Sequence, residues 1–542
     1  VTSLREIFET KNKFLIGAEI VPGRGIIKTY DDGKIKDFVQ GLSGDERVDW
    51  VSVTDNAGGN PMQAPLTMGK AILEGGKQPI IHITCKDYNR NGLESLAWAY
   101  AAEGLNNLLV LTGDYPVNGV DGIAQPVFDI DSVALLKMLN DMNSGLSVKG
   151  RKPGTFQTLD QTDFFLGCTV SPYKLTEAEQ MMQYQKYRAK AKAGAHFVIP
   201  QIGYDIRKSH ELYEYNLEHN IDLPLIGNVY KLTYGVAKIF NKGIIPGCMV
   251  SDELLERIEK ERSAEDKGKK YLTHFAAMQL AAFKKMGYRG GYVGGVEKYS
   301  SYREIIDTAA EYENSDLSDL VKELVYPRKG EFYYYGLDKT TGLAKSVEKN
   351  PVLNEKVKKR YRKSVTFGYR FSRFVHKLAF STTSPLFKFG RPFFNFLEKH
   401  EKLDRAFYFV ERMNKAMIFE CKECGDCSLA DIAYLCPQSQ CAKNQRNGPC
   451  GGSLGGTCEL SVCGKECIWV RAYERERYFG KGVPQMLDRT VIVKDNSLRG
   501  TSGWANFFLK RDHFAKNKTI DEKKEKKDTI KNKSKMQEIG EM

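Results

Sequence analysis

The 542-residue chain carries 81 Lys and Arg against 68 Asp and Glu, a formal charge of +13, with 42% hydrophobic and 27% charged residues. That balance describes a globular protein large enough for more than one core and excludes fibrous and wholly disordered classes. No apolar run approaches the roughly 20 residues needed to span a bilayer, and no charged-apolar-small leader opens the chain. A cytoplasmic protein is expected, with Val1 pointing to a processed, truncated or alternatively initiated start.

From the N-terminus to about residue 310, short β-rich runs alternate with longer amphipathic stretches. The runs are Phe14–Ile20, Trp50–Thr54, Pro79–Thr84, Leu108–Thr112, Phe164–Val170, Phe197–Ile202, Leu223–Val229 and Gly291–Val293, with helix-compatible segments such as Leu93–Leu105, Thr176–Ala193 and His274–Met286 between them. Eight strands alternating with helices predict an α/β fold of parallel strands, most simply a (β/α)8 TIM barrel over residues 1–312, with a doubly wound open sheet as the rival.

Active sites of such barrels lie where strands end and the following loops begin. Polar residues collect there: Glu19 after strand one, Thr54-Asp55-Asn56 after strand two, His82 to Cys85 in strand three, Thr112-Gly113-Asp114 after strand four, and Gln201 after strand six. Singly, each has a plainer role. Asp114 can be a turn or capping residue, and His82 a satisfied core histidine. Five coincidences at corresponding ends point to a site.

Residues 313–415 read as a helical connector, long enough to pack as helices instead of forming a free tether. Within it, Lys356–Lys377 interleaves cations with Tyr361, Phe367, Tyr369 and Phe371. Such a mixture can stack bases or rest on a membrane surface; the plainer expectation is a helix whose aromatics pack and whose cations face water. The region 481–542 reads as an extended basic tail, and from Lys510 its Lys-rich, apolar-poor composition is that of a solvated segment.

Nine of the twelve cysteines fall between Cys421 and Cys467, inside a cysteine-rich segment spanning 416–480. Without a leader, clustered cysteines favour metal over disulfides. Cys421, Cys424 and Cys427 at two-residue spacing, followed by Cys436-Pro437, suit one 4Fe-4S cluster. Cys441, Cys450, Cys458, Cys463 and Cys467 fit a second cluster or a zinc site, and four-thiolate zinc is open for the first site also. Cys85, Cys168 and Cys248 read as core or loop residues.

In order along the chain, Gly17-Ala18-Glu19-Ile20-Val21-Pro22-Gly23-Arg24, Val51-Ser52-Val53-Thr54, His82-Ile83-Thr84-Cys85, Leu111-Thr112-Gly113-Asp114-Tyr115-Pro116 and Ala193-Gly194-Ala195 leading to Pro200-Gln201 resemble the methylenetetrahydrofolate reductase family, a flavin-dependent (β/α)8 barrel. The resemblance implies that Glu19 is the acid that protonates folate, and that Asp114 lies near the flavin and the pterin. It implies that Gln201 hydrogen-bonds the pterin, that Tyr234 stacks on the substrate, and that Thr54, His82, Leu111, Thr112, Gly113, Asp114 and Lys190 contact the flavin, FAD or FMN. Lys190 otherwise reads as an exposed helical lysine. The family's usual Arg-Gly-Asp is Thr112-Gly113-Asp114 here, one cation short, and no nicotinamide-binding glycine fingerprint is present.

Cys424-Gly425-Asp426-Cys427, Cys436-Pro437, Arg446-Asn447-Gly448-Pro449-Cys450-Gly451-Gly452 and Gly456-Thr457-Cys458-Glu459 resemble the cysteine-rich domain that accompanies this reductase in some anaerobic bacteria. The implied activity interconverts methylene- and methyltetrahydrofolate, with electrons relayed from a ferredoxin-like protein and NAD(P)H open as a further donor. Neither a nucleic-acid module nor a membrane span is expected, and an oligomer is open. The alternative is a tetrahydrofolate-binding, methyltransferase-like barrel with a structural zinc docking module.

Overall fold

The computed structural model describes residues 2–515 apart from 11–12, 28–32, 153, 382, 461–463, 481, 485 and 487–492, so Cys463 and the tail from 516 lie outside the described residues. The chain divides into two compact units, one of Val1–Glu355 with Asn447–Val470, the other of Lys356–Arg446 with Arg471–Met542. The cysteines are shared between them: Cys421 to Cys441 fall in the second, and Cys450, Cys458 and Cys467 in the first.

The first unit is an eight-stranded parallel barrel. Its strands are β1 (Leu15–Ile20), β2 (Trp50–Val53), β3 (Gln78–Thr84), β4 (Asn107–Leu111), β5 (Phe165–Cys168), β6 (Phe197–Val198), β7 (Ile226–Tyr230) and β8 (Gly290–Gly294). Each overlaps one expected run. Their order is β6-β5-β4-β3-β2-β1-β8-β7, and the two ends meet through a parallel bridge between Val198 and Leu225, which closes the barrel. Register follows directly, with Glu19 beside Ser52 and Ala18 beside Val293.

Strands flanked on both faces by protein read as continuous apolar runs, because neither face can be left to water. β3 and β8 are accordingly buried at every position. At the end where the strands begin, the helix Leu4–Thr10 inserts Leu4, Ile7 and Phe8 among Trp50, Phe165, Phe197 and Tyr292, plugging the barrel floor. Arg289 donates to the carbonyls of Ile7 and Phe8 at 3.2 and 2.8 Å, satisfying acceptors that a helix end leaves open. The helix Leu317–Leu324 packs on the helix Lys269–Lys285. Phe332 to Tyr335 then cover the helix Ile206–Glu218, whose fully buried Glu211 accepts from the Tyr335 amide at 3.2 Å and sits 3.4 Å from Lys208.

The second unit is helical around its cysteines. Its helices include Phe367–Val375, Pro385–Glu398, Glu401–Phe419 and Ile468–Phe479, the last belonging to this unit from Arg471 onward. A core of Phe394, Leu397, Ala505 and Phe508 joins the helix Pro385–Glu398 to the helix Gly503–Phe508. No helix among the described residues is long and apolar enough to cross a membrane.

Candidate active site

Glu19 is the next-to-last residue of β1, and its half-buried carboxylate accepts a hydrogen bond from the Tyr292 hydroxyl at 2.6 Å. Burial raises the Glu19 pKa, and the Tyr292 hydrogen bond partly opposes that rise. β8 makes room for the carboxyl with a glycine: a Cβ on Gly294 would lie 2.7 Å from Glu19 Oε1.

Asp114 follows β4 and accepts from the Gly58 amide at 2.9 Å. Both carboxylates act on one thiol. Burial pushes the Cys248 thiol up to about 12, and Asp114 and Glu19 both add to the push while Lys174 opposes it. One sulfur is thus within electrostatic reach of both acids. Its neighbour Gly247 abuts Gln201, whose Nε2 would lie 3.1 Å from a Cβ there, so Gln201 reaches the same mouth. The Gln201 Oε1 is taken by the Ile202 amide at 2.9 Å.

The ends of β2 and β3 hold buried polar atoms without a hydrogen-bond partner among the described residues, Thr54 Oγ1 and His82 Nε2. Burial, with Lys86 adding, depresses the His82 pKa to about 3, so its ring is neutral. Thr112 is buried with its hydroxyl 3.3 Å from Ser132, and Leu111 is half-buried against the core. Gly113 has φ +88, and a Cβ there would crowd Thr84 and Lys86.

Lys190 is not an exposed helical lysine. A capping box of Thr176 and Glu179 starts the helix Glu177–Lys192, and i,i+4 spacing puts Lys186 and Lys190 on one face. Both are buried. The Lys190 ammonium donates to the Thr169 carbonyl, and burial together with Lys186 lowers its pKa to about 8. Asp131, capping the helix Ser132–Asn143 through the Val133 and Ala134 amides, shares this neighbourhood.

The 447–470 segment builds part of this wall. The Asn447 amide donates to Asp131 Oδ2 at 2.7 Å and its side chain to the same carboxylate at 3.0 Å. Gly448, at φ +114, presses on Lys186, and Lys174 donates to the carbonyls of Gly451 and Ser453, the latter at 2.7 Å. Cys450 lies 3.4 Å from Glu459 Oε1.

Tyr234 is placed differently from the other candidates. Its ring is covered by Arg262 at 3.9 Å and its hydroxyl donates to Glu259 at 2.9 Å. The aromatic close to Glu19 on that side is Tyr230, whose pKa burial raises with Glu19 adding. A cleft of about 590 Å³ opens at the opposite, strand-start end of the barrel, lined by Phe8, Lys13, Leu223 and Arg289; it contains none of the candidate residues.

The model of the family described as methylenetetrahydrofolate reductase matches residues 37–309. The chain belongs to the methylenetetrahydrofolate reductase family. It is an oxidoreductase of methylenetetrahydrofolate reductase type. The model described as methylene-tetrahydrofolate reductase C terminal matches residues 400–496, so both parts of the reductase family are joined in one chain. Glu19 precedes the matched segment, and its place rests on the barrel geometry.

No relative matches among curated proteins. A solved Clostridium thermocellum protein, described as uncharacterized and binding two copies of 5-methyl-5,6,7,8-tetrahydrofolic acid, is similar at 14% identity and TM-score 0.40, over 57% of this chain and 99% of that one. Tryptophan synthase from M. tuberculosis is similar at 14% identity and TM-score 0.31, over 58% and 99%. Likenesses this distant carry no argument about activity.

In the second unit, Cys421, Cys424, Cys427 and Cys436 border one small cavity together with Lys415, Phe419 and Pro437. The Glu423 amide points at Cys421 Sγ from 3.4 Å, and Lys415 pairs with Glu411 beneath them. Cys441 follows the short helix Pro437–Gln440. No group of three or more His, Cys, Asp or Glu among the described residues forms a ready-made metal-ion site.

Sequence reasoning missed Tyr292, Lys186, Lys174 and the Asp131–Asn447 contact. Asp131 had a local signal, an Asp before a helical apolar run. The others had none, since each acquires its role from a partner far away in sequence.

Proposed function

We propose that the barrel mouth interconverts 5,10-methylenetetrahydrofolate and 5-methyltetrahydrofolate with a flavin, FAD or FMN, as the bound hydride carrier. The supporting observation is the placement of Glu19 at the end of β1 and Asp114 after β4 at the same barrel end, both acting on the Cys248 thiol. The residues present suit a flavin: Thr54 Oγ1 and His82 Nε2 are buried polar atoms in want of partners, Leu111 to Asp114 offer backbone and a carboxylate, and Lys190 with Lys186 supplies buried positive charge for a phosphate. The cation that Thr112 does not provide at β4 is thereby replaced from a neighbouring helix.

In this reading Glu19, its pKa raised by burial, holds a proton and delivers it to the folate, so that the methylene bridge opens to an acceptor of hydride. Tyr292 orients that carboxyl. Gln201 hydrogen-bonds the pterin with its free amide group, and Asp114 orients the ring edge. Tyr234, the ring the family resemblance assigns to the substrate, is covered by Arg262, and Tyr230, within electrostatic reach of Glu19, is a second candidate ring.

Cys421, Cys424, Cys427 and Cys436 would hold a 4Fe-4S cluster: four thiolate donors around one cavity with an amide aimed at sulfur is a suitable donor set. Cys441, Cys450, Cys458 and Cys467 remain candidates for a second cluster or zinc. The cluster would serve electrons from a ferredoxin-like donor, alongside or instead of NAD(P)H.

Anaerobic purification tests the reading. Flavin bands together with a broad absorbance at about 400 nm that bleaches on reduction, with iron by elemental analysis, are expected alongside methylene- or methyltetrahydrofolate turnover. A colourless zinc protein would overturn the flavin and the relay.

A further inference from the structure

From Lys356 to Leu397 the chain contains eleven Lys and Arg and no Asp or Glu. The same segment carries eleven Phe and Tyr, and a share of them does not pack. On the helix Phe367–Val375 and the turn after it, Phe367 (85% exposed), Phe371, Phe374 (62%) and Leu378 lie at i, i+4, i+7 and i+11, a single stripe open to solvent. Tyr369 alone on that helix is buried. The helix Pro385–Glu398 is apolar on two sides. Phe394 and Leu397 join the core with Phe508, while Leu386, Phe389 (70%), Phe393 and Phe396 form a second, exposed stripe at i, i+3, i+7 and i+10.

Ordinary solvated helices put charge, not rings, on the open face. Here the exposed stripes are bordered by cations, Arg370 and Arg373 on the first helix, Lys377 in the turn after it, and Lys388 and Arg391 on the second, and the segment itself supplies no carboxylate.

We propose that this face rests on an anionic lipid bilayer, with the Phe and Leu stripes lying at the headgroup–acyl boundary and the Lys and Arg side chains meeting lipid phosphates. Three observations select that occupant. The charge is of one sign and so complements an anionic surface. The apolar residues follow helical stripes and include Leu378 and Leu386, which contribute nothing to base stacking but partition into lipid. No described helix is long and apolar enough to span, so the mode is lying on the surface. The inference is independent of the barrel chemistry.

Co-sedimentation of the full chain with extruded vesicles tests it. Partition onto vesicles of 7:3 phosphatidylcholine and phosphatidylglycerol is expected to exceed that onto phosphatidylcholine alone by about tenfold or more, and to weaken in high salt. Phe374→Ser with Phe389→Ser should lower it about fivefold or more while folate turnover is kept, and Lys377→Gln with Lys388→Gln should lower it by removing charge without touching the apolar stripes. Equal partition onto neutral and anionic vesicles, or no loss in either double variant, would overturn the proposal. So would self-association in analytical ultracentrifugation that the Phe variant abolishes, which assigns the face to a second copy, or displacement from vesicles by RNA, which assigns it to nucleic acid.

Discussion

The Tyr292 hydroxyl reaches from β8 to the neighbouring β1 and donates to Glu19 Oε2 at 2.6 Å. A donor to a carboxylate stabilises the ionised form, so this bond holds the Glu19 pKa below the level burial alone would set. In Tyr292→Phe the Glu19 pKa rises. Because the proposed step needs the protonated acid, activity in the variant should persist to higher pH, with the alkaline limb of the kcat/KM profile moved up by about one unit. An unmoved limb would remove Glu19 from the rate law or Tyr292 from its control.

Glu19→Gln should keep flavin bound and lower folate turnover by about 10²- to 10⁴-fold. Gly294→Ala tests the same carboxyl by space: its Cβ would meet Glu19 Oε1 at 2.7 Å, so the acid must shift and turnover should fall with melting temperature little changed. Full activity in Glu19→Gln would show the assigned acid to be wrong.

Lys190 is buried with a pKa of about 8, so its positive charge is present at pH 7 and is lost as pH rises through that value. Flavin affinity, read by fluorescence titration of the stripped protein, should weaken between pH 7 and 9. Lys190→Met should weaken it by about tenfold or more at pH 7 and flatten the pH dependence. Equal affinity in the variant would place the phosphate elsewhere.

Cys427→Ala removes one of four sulfurs around the cavity in the second unit. Iron content and the absorbance at about 400 nm should both fall by half or more, with barrel flavin retained. Treatment with a chelator under air should give the same loss in the unaltered protein.

His82 is buried with a pKa of about 3, against 6.5 for a free imidazole. The unfolded chain therefore takes up a proton that the folded barrel refuses, and the stability present above pH 6.5 is lost as pH falls toward 3. At pH 4.5 the loss should be on the order of 2–3 kcal/mol. Urea unfolding of the flavin-free protein at pH 7 and 4.5 measures it, and His82→Gln should show a smaller difference between the two.

Eight strands and the polar residues at their ends were legible because the barrel's signal is local: short β-rich runs, turn residues, and apolar helix faces repeated in order. Glu19, Thr54, His82 and Asp114 were found by that rule alone, as strand-end positions. Cys421, Cys424 and Cys427 at two-residue spacing and the Cys436-Pro437 step were visible in the sequence, and the four cysteines border one cavity in the second unit. Lys190 was ambiguous, because a lysine near a helix end looks the same in sequence whether it faces water or, as here, a carbonyl in the barrel mouth. Composition suggests packed aromatics in the connector, yet Phe367, Phe374 and Phe389 stand open, because composition does not say which side of a helix finds a partner.

The amino-acid sequence by itself determined that this protein is an α/β barrel joined to a cysteine-rich region, and which strand ends carry acids. Only the tertiary structure decided that Tyr292 hydrogen-bonds Glu19, that Lys186 joins Lys190, and that the stretch from Asn447 to Val470 belongs with the barrel, its Asn447 bound to Asp131 across 316 positions of chain. The physical reason is one of range. Periodicity and spacing report contacts within a few residues, whereas desolvation of a lysine or a carboxyl depends on everything that folding brings around it.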